Sequence, residues 1–175
     1  MVGELFPIVA NLKINGIFDF QGLYRLMHDW LVDMKYYFEE TLYKHKVPSP
    51  AGAEEHIRWY AWRKVTEYIR FDIYIYLILR DMKEIEVIKD GKKKILTKAR
   101  MTIEFRGKVE VDYSKKFQKT PFLKKLFDFY NNYVLKKRID TIYTDQLYYR
   151  ILKLYTLAKE YLEFETKSNA YYDMW

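Results

Sequence analysis

The chain has 175 residues with no cysteine, three histidines and six glycines, and its 31 basic groups outnumber 24 acidic ones for a formal charge of +7. Half of the residues are apolar and 31% are charged, which fits one packed domain and excludes global disorder. The missing cysteines exclude disulfides, thiolate metal sites and a cysteine nucleophile, and the basic balance favours acidic partners such as nucleic acid.

Met1-Val2-Gly3-Glu4-Leu5 has no basic region ahead of an apolar run, so no signal peptide is expected. The longest apolar run, Ile73 to Leu79, is too short to span a bilayer, and no lipidation motif is present. The expectation is a soluble cytoplasmic protein with no membrane span. Lysine, glutamate, isoleucine and tyrosine are abundant, while asparagine and glutamine are scarce. Heat adaptation and an AT-rich genome both produce that bias.

The first predicted element is a strand over about Pro7 to Asn15, with Ile8, Ala10, Leu12 and Ile14 on one face. Gly16 is expected to break it, with Ile17-Phe18 extending the pairing. Asp19 is a good helix N-cap, because its carboxylate can accept from the free amides of a first turn. Leu23, Leu26, Met27, Trp30, Leu31, Met34, Tyr37, Phe38 and Leu42 then recur at helical spacing, which predicts a helix to about Lys44. Val47-Pro48-Ser49-Pro50-Ala51-Gly52 reads as the following loop.

From Glu55 to about Tyr113 the period is two. Ile57, Trp59, Ala61, Arg63 and Val65 alternate with Arg58, Tyr60, Trp62 and Lys64. Phe71, Ile73, Ile75, Leu77 and Leu79 fill one strand face, and Asp72, Tyr74, Tyr76, Ile78 and Arg80 fill the other. Asp90-Gly91 is the strongest hairpin signal, since both central residues of a type I′ turn need positive φ. A two-residue turn there pairs Lys89 with Lys92 and Ile85 with Leu96. Carried on, the same register sets Ile75 against Arg106. One extra residue near Asp81 to Lys83, or near Thr97 to Lys98, restores apolar partners, so a β-bulge is predicted there.

Thr120-Pro121 opens the last element as N-cap and first helical residue. Apolar residues recur from Phe122 through Leu126, Phe129, Tyr133, Ile139, Leu147, Ile151, Leu154, Ala158 and Leu162. A straight helix from Phe122 to Phe164 would be about 65 Å long, in a domain only about 40 Å across. It is expected to break between Lys136 and Asp145, or to project onto another subunit. The tail, Asn169 to Trp175, ends in Tyr171, Tyr172, Met174 and Trp175, which favour burial on this domain or a neighbour.

The residues give little chemistry. His28, Asp29 and Asp33 share the first helix, but no second histidine stands at ligand spacing. His45 and His56 flank the proline loop and can approach each other. Ser49, Ser114 and Ser168 are all read in loops and lack a nucleophile motif. Gly16, Gly22, Gly52, Gly91 and Gly107 are isolated, so no phosphate loop forms. Glu39-Glu40 and Glu54-Glu55 are adjacent acids of the usual solvated kind. No catalytic, cofactor-binding or metal residue is assigned, and no cofactor is expected.

One strand has a local signal. Arg58, Tyr60, Trp62 and Lys64 would share a face able to stack bases and neutralise phosphates. Tyrosine and tryptophan also commonly cover a half-buried sheet face, with long cations packed beside them. Lys115, Lys116, Lys119, Lys124 and Lys125 add charge further on, as do Lys136, Lys137 and Arg138. The element order is similar to the helix-grip layout of START-like lipid-binding domains, which implies a curved sheet wrapping the last helix around an apolar cavity. About five strands are counted here, fewer than in that family. The segments Phe18-Asp19-Phe20-Gln21-Gly22-Leu23-Tyr24, Asp29-Trp30-Leu31, Asp90-Gly91-Lys92-Lys93 and Pro121-Phe122-Leu123 together resemble a group of uncharacterised archaeal proteins. That resemblance implies an archaeal or archaeal-virus setting and supplies no activity.

The expected fold is α+β, an antiparallel sheet of about five strands with a long first helix and a long C-terminal helix. Residues 1–168 form the single domain and 169–175 the tail. The expected role is a non-enzymatic structural or protein-interaction module that self-associates through the last helix and the tail residues Tyr171, Tyr172, Met174 and Trp175. Nucleic-acid binding through Arg58, Tyr60, Trp62 and Lys64 is the alternative, and an apolar ligand or lipid is the second alternative.

Overall fold

The structure is a computed structural model that describes residues 9–49, 52–89, 92–115 and 139–170, with Phe122, Lys125 and Phe129 as isolated helical positions. The elements are β1 (Ala10–Phe18), α1 (Phe20–Asp33), β2 (Tyr37–Ser49), β3 (Gly52–Lys64), β4 (Ile69–Lys89), β5 (Lys92–Val111) and α2 (Thr144–Ala170). The strands form one sheet in the order β1-β5-β4-β3-β2, antiparallel throughout. Among the described residues no helix is long and apolar enough to cross a membrane.

Strict alternation divides the sheet into two chemically different faces. Ile57, Trp59 and Ala61 of β3, Phe71 to Leu79 at every second residue of β4, and Met101, Ile103 and Phe105 of β5 are buried on one face. Leu23, Met27 and Leu31 of α1 pack on it, together with Leu147, Ile151, Leu154, Ala158 and Leu162 of α2. Each large apolar side chain removed from water in this layer contributes about 1.5–3 kcal/mol.

Asp19 caps α1 as expected, accepting from the Gly22 amide at 2.8 Å. It also accepts from the Tyr161 hydroxyl of α2 at 3.2 Å and meets Lys94 of β5 at 2.8 Å. One cap thereby joins both helices to the sheet.

The helix predicted to reach Lys44 stops at Asp33. The Tyr36 amide donates to the Leu31 carbonyl and the Lys35 amide to the Val32 carbonyl, both at 2.9 Å. This is a Schellman stop, with Lys35 at φ 61° where glycine usually stands. Buried Tyr36 anchors it. The chain from Tyr37 then becomes the edge strand β2, which takes in Val47, Pro48 and Ser49 of the segment read as a loop. Ser49 stands opposite Gly52, the first residue of β3, and Pro50 and Ala51 lie outside the described residues. Gly16 does not break β1. It pairs with Ala99, and β1 runs unbroken to Phe18.

The bulge is in β4. Lys89 pairs with Lys92 and Ile85 with Leu96, but from Arg80 onward the register shifts by one residue. Leu79 then faces Met101, Leu77 faces Ile103 and Ile75 faces Phe105, while Ile73 faces Gly107. Asp81 in the bulge has φ 55°, and the Gly52 backbone rests against it. A Cβ on Gly52, itself at φ +137°, would lie 2.5 Å from the Asp81 carbonyl carbon. Gly52→Ala is therefore expected to cost roughly 1–3 kcal/mol, read as a lower urea midpoint with unchanged slope.

A π-helical turn at Ile139–Tyr143 opens the described part of the last helix, inside the window where a break is expected. Apart from Phe122, Lys125 and Phe129, residues 116–138 upstream of it lie outside the described residues, as do the tail residues Tyr171, Tyr172, Met174 and Trp175.

Candidate nucleic-acid interface

The sheet face turned away from α1 and α2 carries the basic and aromatic residues. Arg58, Tyr60, Trp62 and Lys64 all lie on it; Arg58 and Lys64 are exposed, and the two aromatics are half-buried. The register sets them in rows running across the strands. Tyr37, Trp62, Asp72 and Lys108 form one row, and Glu39, Tyr60, Tyr74 and Arg106 the next. Leu42, Arg58, Tyr76 and Glu104 form the third.

Ring pairs run along the rows, and cations reach from one row to the next. Tyr60 and Tyr74 stack with centroids 5.1 Å apart, and Tyr37 lies over Trp62 at the same separation. The Arg58 and Arg106 guanidiniums sit 5.6 and 5.3 Å from the Tyr76 ring centre, and Arg70 sits 5.7 Å from that of Trp62. Lys64 lies over Tyr113. Such contacts hold cations in place while leaving their N–H groups free to donate.

Asp72, Glu104 and Glu110 on this face are paired with neighbouring cations. Arg70 grips Asp72 with two bonds, Nε to Oδ1 at 2.7 Å and Nη2 to Oδ2 at 3.0 Å. Arg106 pairs with Glu104, and Lys108 with Glu110. Asp72 is 1% exposed, and this burial pushes its pKa up even though Arg70 works in the opposite direction. Burial also opposes the charge on Arg70, but Asp72 more than restores it and the net shift is upward. Burial and then the Asp72 charge push Tyr60 up to about 12. The same two causes raise Tyr74. Both phenols stay neutral at physiological pH and add no negative charge against a phosphate.

At the other end of the face Glu54 gathers His56 at 2.9 Å, Lys46 at 3.2 Å and Arg80 at 3.4 Å. The His56 bond, followed by that of Lys46, lowers Glu54 to about 2. A carboxyl held low in the folded state contributes stability above its unfolded pKa and loses it as the pH falls through the folded value. Glu54→Gln should therefore melt below the native protein at pH 6, with the gap closing toward pH 2–3 in thermal melts.

The adjacent acids are not pairs, because neighbours on a strand point to opposite faces. On the helix side Glu40 accepts from the Tyr24 hydroxyl at 2.6 Å and Trp59 Nε1 at 3.3 Å. Burial, then Glu40, pushes Tyr24 up to about 12. Buried Glu55 accepts from Tyr43 at 2.9 Å and meets His45 at 2.9 Å. His45 and His56 thus serve different carboxylates, Glu55 and Glu54. His28 contacts Asp29 at 3.0 Å. Ser49 and Ser168, read in loops, lie on β2 and α2. Among the described residues no group of three or more histidines and acids is placed to hold a metal ion.

Tyr37 was hidden from sequence reasoning by the helix assigned over it. It is 57% exposed, the outermost ring of its row. The aromatic run Tyr36-Tyr37-Phe38, followed by Thr41, Tyr43 and Val47, is the strand signal that could have found it.

Comparison of the chain with protein-family models, with curated proteins and with solved structures found no match. The fold is that of an α+β protein with a five-stranded antiparallel sheet and both described helices on one side.

Proposed function

We propose that this protein binds single-stranded nucleic acid on the helix-free face of its sheet. The observation that carries this is the joining of Arg58, Tyr60, Trp62 and Lys64 with Tyr37, Tyr74, Tyr76 and Arg106 into one cationic and aromatic surface. Arg58 and Lys64 meet aromatic rings rather than carboxylates, so they keep charge for phosphates. Tyr37 offers an open ring for a base, and Trp62 packed against it gives it a firm backing. Contact to backbone and base faces implies tolerance of sequence.

The test is fluorescence anisotropy with labelled 12-nucleotide single strands at several salt concentrations. Binding is expected to weaken steadily with salt, with a log–log slope of about −0.7 per phosphate neutralised. It should be weaker for a duplex of the same sequence. Salt-independent or absent binding would reject the proposal.

Self-association is the second reading, favoured by apolar surface near the start of α2. Ile142, Tyr148 and Tyr149 are exposed there, as are Phe122 and Phe129 upstream. Light scattering after size exclusion tests it: a salt-resistant oligomer dispersed by Tyr149→Asp would support it, and a monomer would remove it. Deleting residues 169 to 175 would assay the tail separately.

A further inference from the structure

A depression of about 320 Å³ lies on the same sheet face, where β1, β5 and β4 meet beside the bulge. That volume is at the lower end of the range for small-ligand sites, about 300–1,000 Å³. Lys13, Arg80 and Arg100 line it, with Asn15, Thr102 and Ile78 between them. No carboxylate is part of its wall.

Arg80 and Arg100 are direct partners across β4 and β5. Like charges in that arrangement disfavour the folded sheet, and the fold holds them there from behind. The Asp81 carboxylate meets Arg100 at 2.5 Å, and Glu54 reaches Arg80 at 3.4 Å. Asp81 is the bulge residue against which Gly52 rests, so backbone geometry fixes the anchor of Arg100. On the other side, Asn15 pairs with Arg100 and Lys13 with Thr102. Two guanidiniums, an ammonium, an amide and a hydroxyl therefore converge on a small space floored by an isoleucine.

We infer that this depression is a phosphate site, taking either the terminal phosphate of a bound strand or a free phosphate or mononucleotide. The donors suit the tetrahedral oxygens of a phosphate monoester, whose charge a guanidinium pair neutralises better than lysine alone. The strand-end form of the inference rests on the nucleic-acid function proposed above; the free-phosphate form does not. Arg80 stands four residues along β4 from Tyr76, about 13 Å from the aromatic rows. A strand seated on those rows would bring one end here.

The experiment compares 12-nucleotide strands of one sequence bearing a 5′-phosphate, a 3′-phosphate or hydroxyls only. It adds titrations of inorganic phosphate and AMP followed at the backbone amides of Lys13, Asn15 and Thr102. One phosphorylated end is expected to bind at least about fivefold tighter than the hydroxyl-ended strand. Arg100→Gln and Arg80→Gln should each erase that preference while keeping most of the affinity for the hydroxyl-ended strand. Saturable amide shifts with phosphate or AMP, in a protein that binds no strand, would support the site as one for free phosphate and reject the nucleic-acid function. Strand binding with no end preference and no amide shifts would overturn the site and leave that function standing.

Discussion

Trp59→Ala is expected to lower stability by about 3–5 kcal/mol, enough to consume much of the margin of a single domain. Trp59 is 1% exposed and is among the largest fully buried side chains. Its ring lies edge-on to Tyr24 at 4.6 Å and to Phe38 at 4.9 Å, so it ties β3 to both α1 and β2. Its indole N–H donates to Glu40 at 3.3 Å. Truncation leaves a cavity under α1 and takes a donor from a carboxylate. A melting temperature lower by about 10 °C is the expected reading by calorimetry, at 2–4 °C per kcal/mol for a chain of this size. Trp62→Ala, on the helix-free face, should cost far less. Equal losses at the two tryptophans would contradict the two-faced description of β3.

Charge reversal at both Arg58 and Lys64 should lower single-strand affinity about 100-fold at moderate salt and flatten the salt dependence by about two phosphates. Both side chains are exposed, so the fold should survive the change. Tyr37→Ala should cost about tenfold with the salt slope unchanged, because a stacked base contributes about 1–3 kcal/mol without ion release. Lys159→Glu on α2, on the far side of the molecule, should leave binding as it was. A loss at Lys159 as large as that at Arg58 and Lys64 would mean binding to net charge rather than to this face.

Much of the architecture is written in local signals. Alternation along Glu55 to Val111 marks three strands and tells their inner from their outer residues. The bulge could be placed because a one-residue slip would have set Ile75 against Arg106. The Asp19 cap is equally legible, since its side chain serves amides only three residues away. The end of α1 is different. Met34, Tyr37, Phe38 and Leu42 satisfy helical spacing, and Lys35 fills a left-handed position where a glycine would have signalled the stop. What decides the matter is the pairing of Tyr37 to Ser49 with β3, a tertiary contact whose weak aromatic and β-branched signal is overridden by the helical spacing.

The candidate site divides the same way. Arg58, Tyr60, Trp62 and Lys64 share a face by parity alone. Their meeting with Tyr37, Tyr76 and Arg106 follows from strand register, which parity does not supply. The pairing of Arg80 with Arg100 depends on the bulge, so the depression beside it could not be read from either strand alone.

The sheet order also sets a timetable. β2 to β5 form a meander in which each strand pairs with its sequence neighbour, so those hairpins can assemble one after another. β1 pairs only with β5, and Ala10 meets Phe105 about ninety-five positions downstream, the kind of distant pairing that slows folding. During synthesis β1 is made before the other described strands and finds its place only after β5. Until β5 has left the ribosome, Leu12 and Ile14 have no sheet to join, and the Asp19 cap has neither Lys94 nor Tyr161 to hold. The nascent chain must therefore carry an unpaired strand edge from the synthesis of β1 until β5 emerges, and that interval exposes it to aggregation.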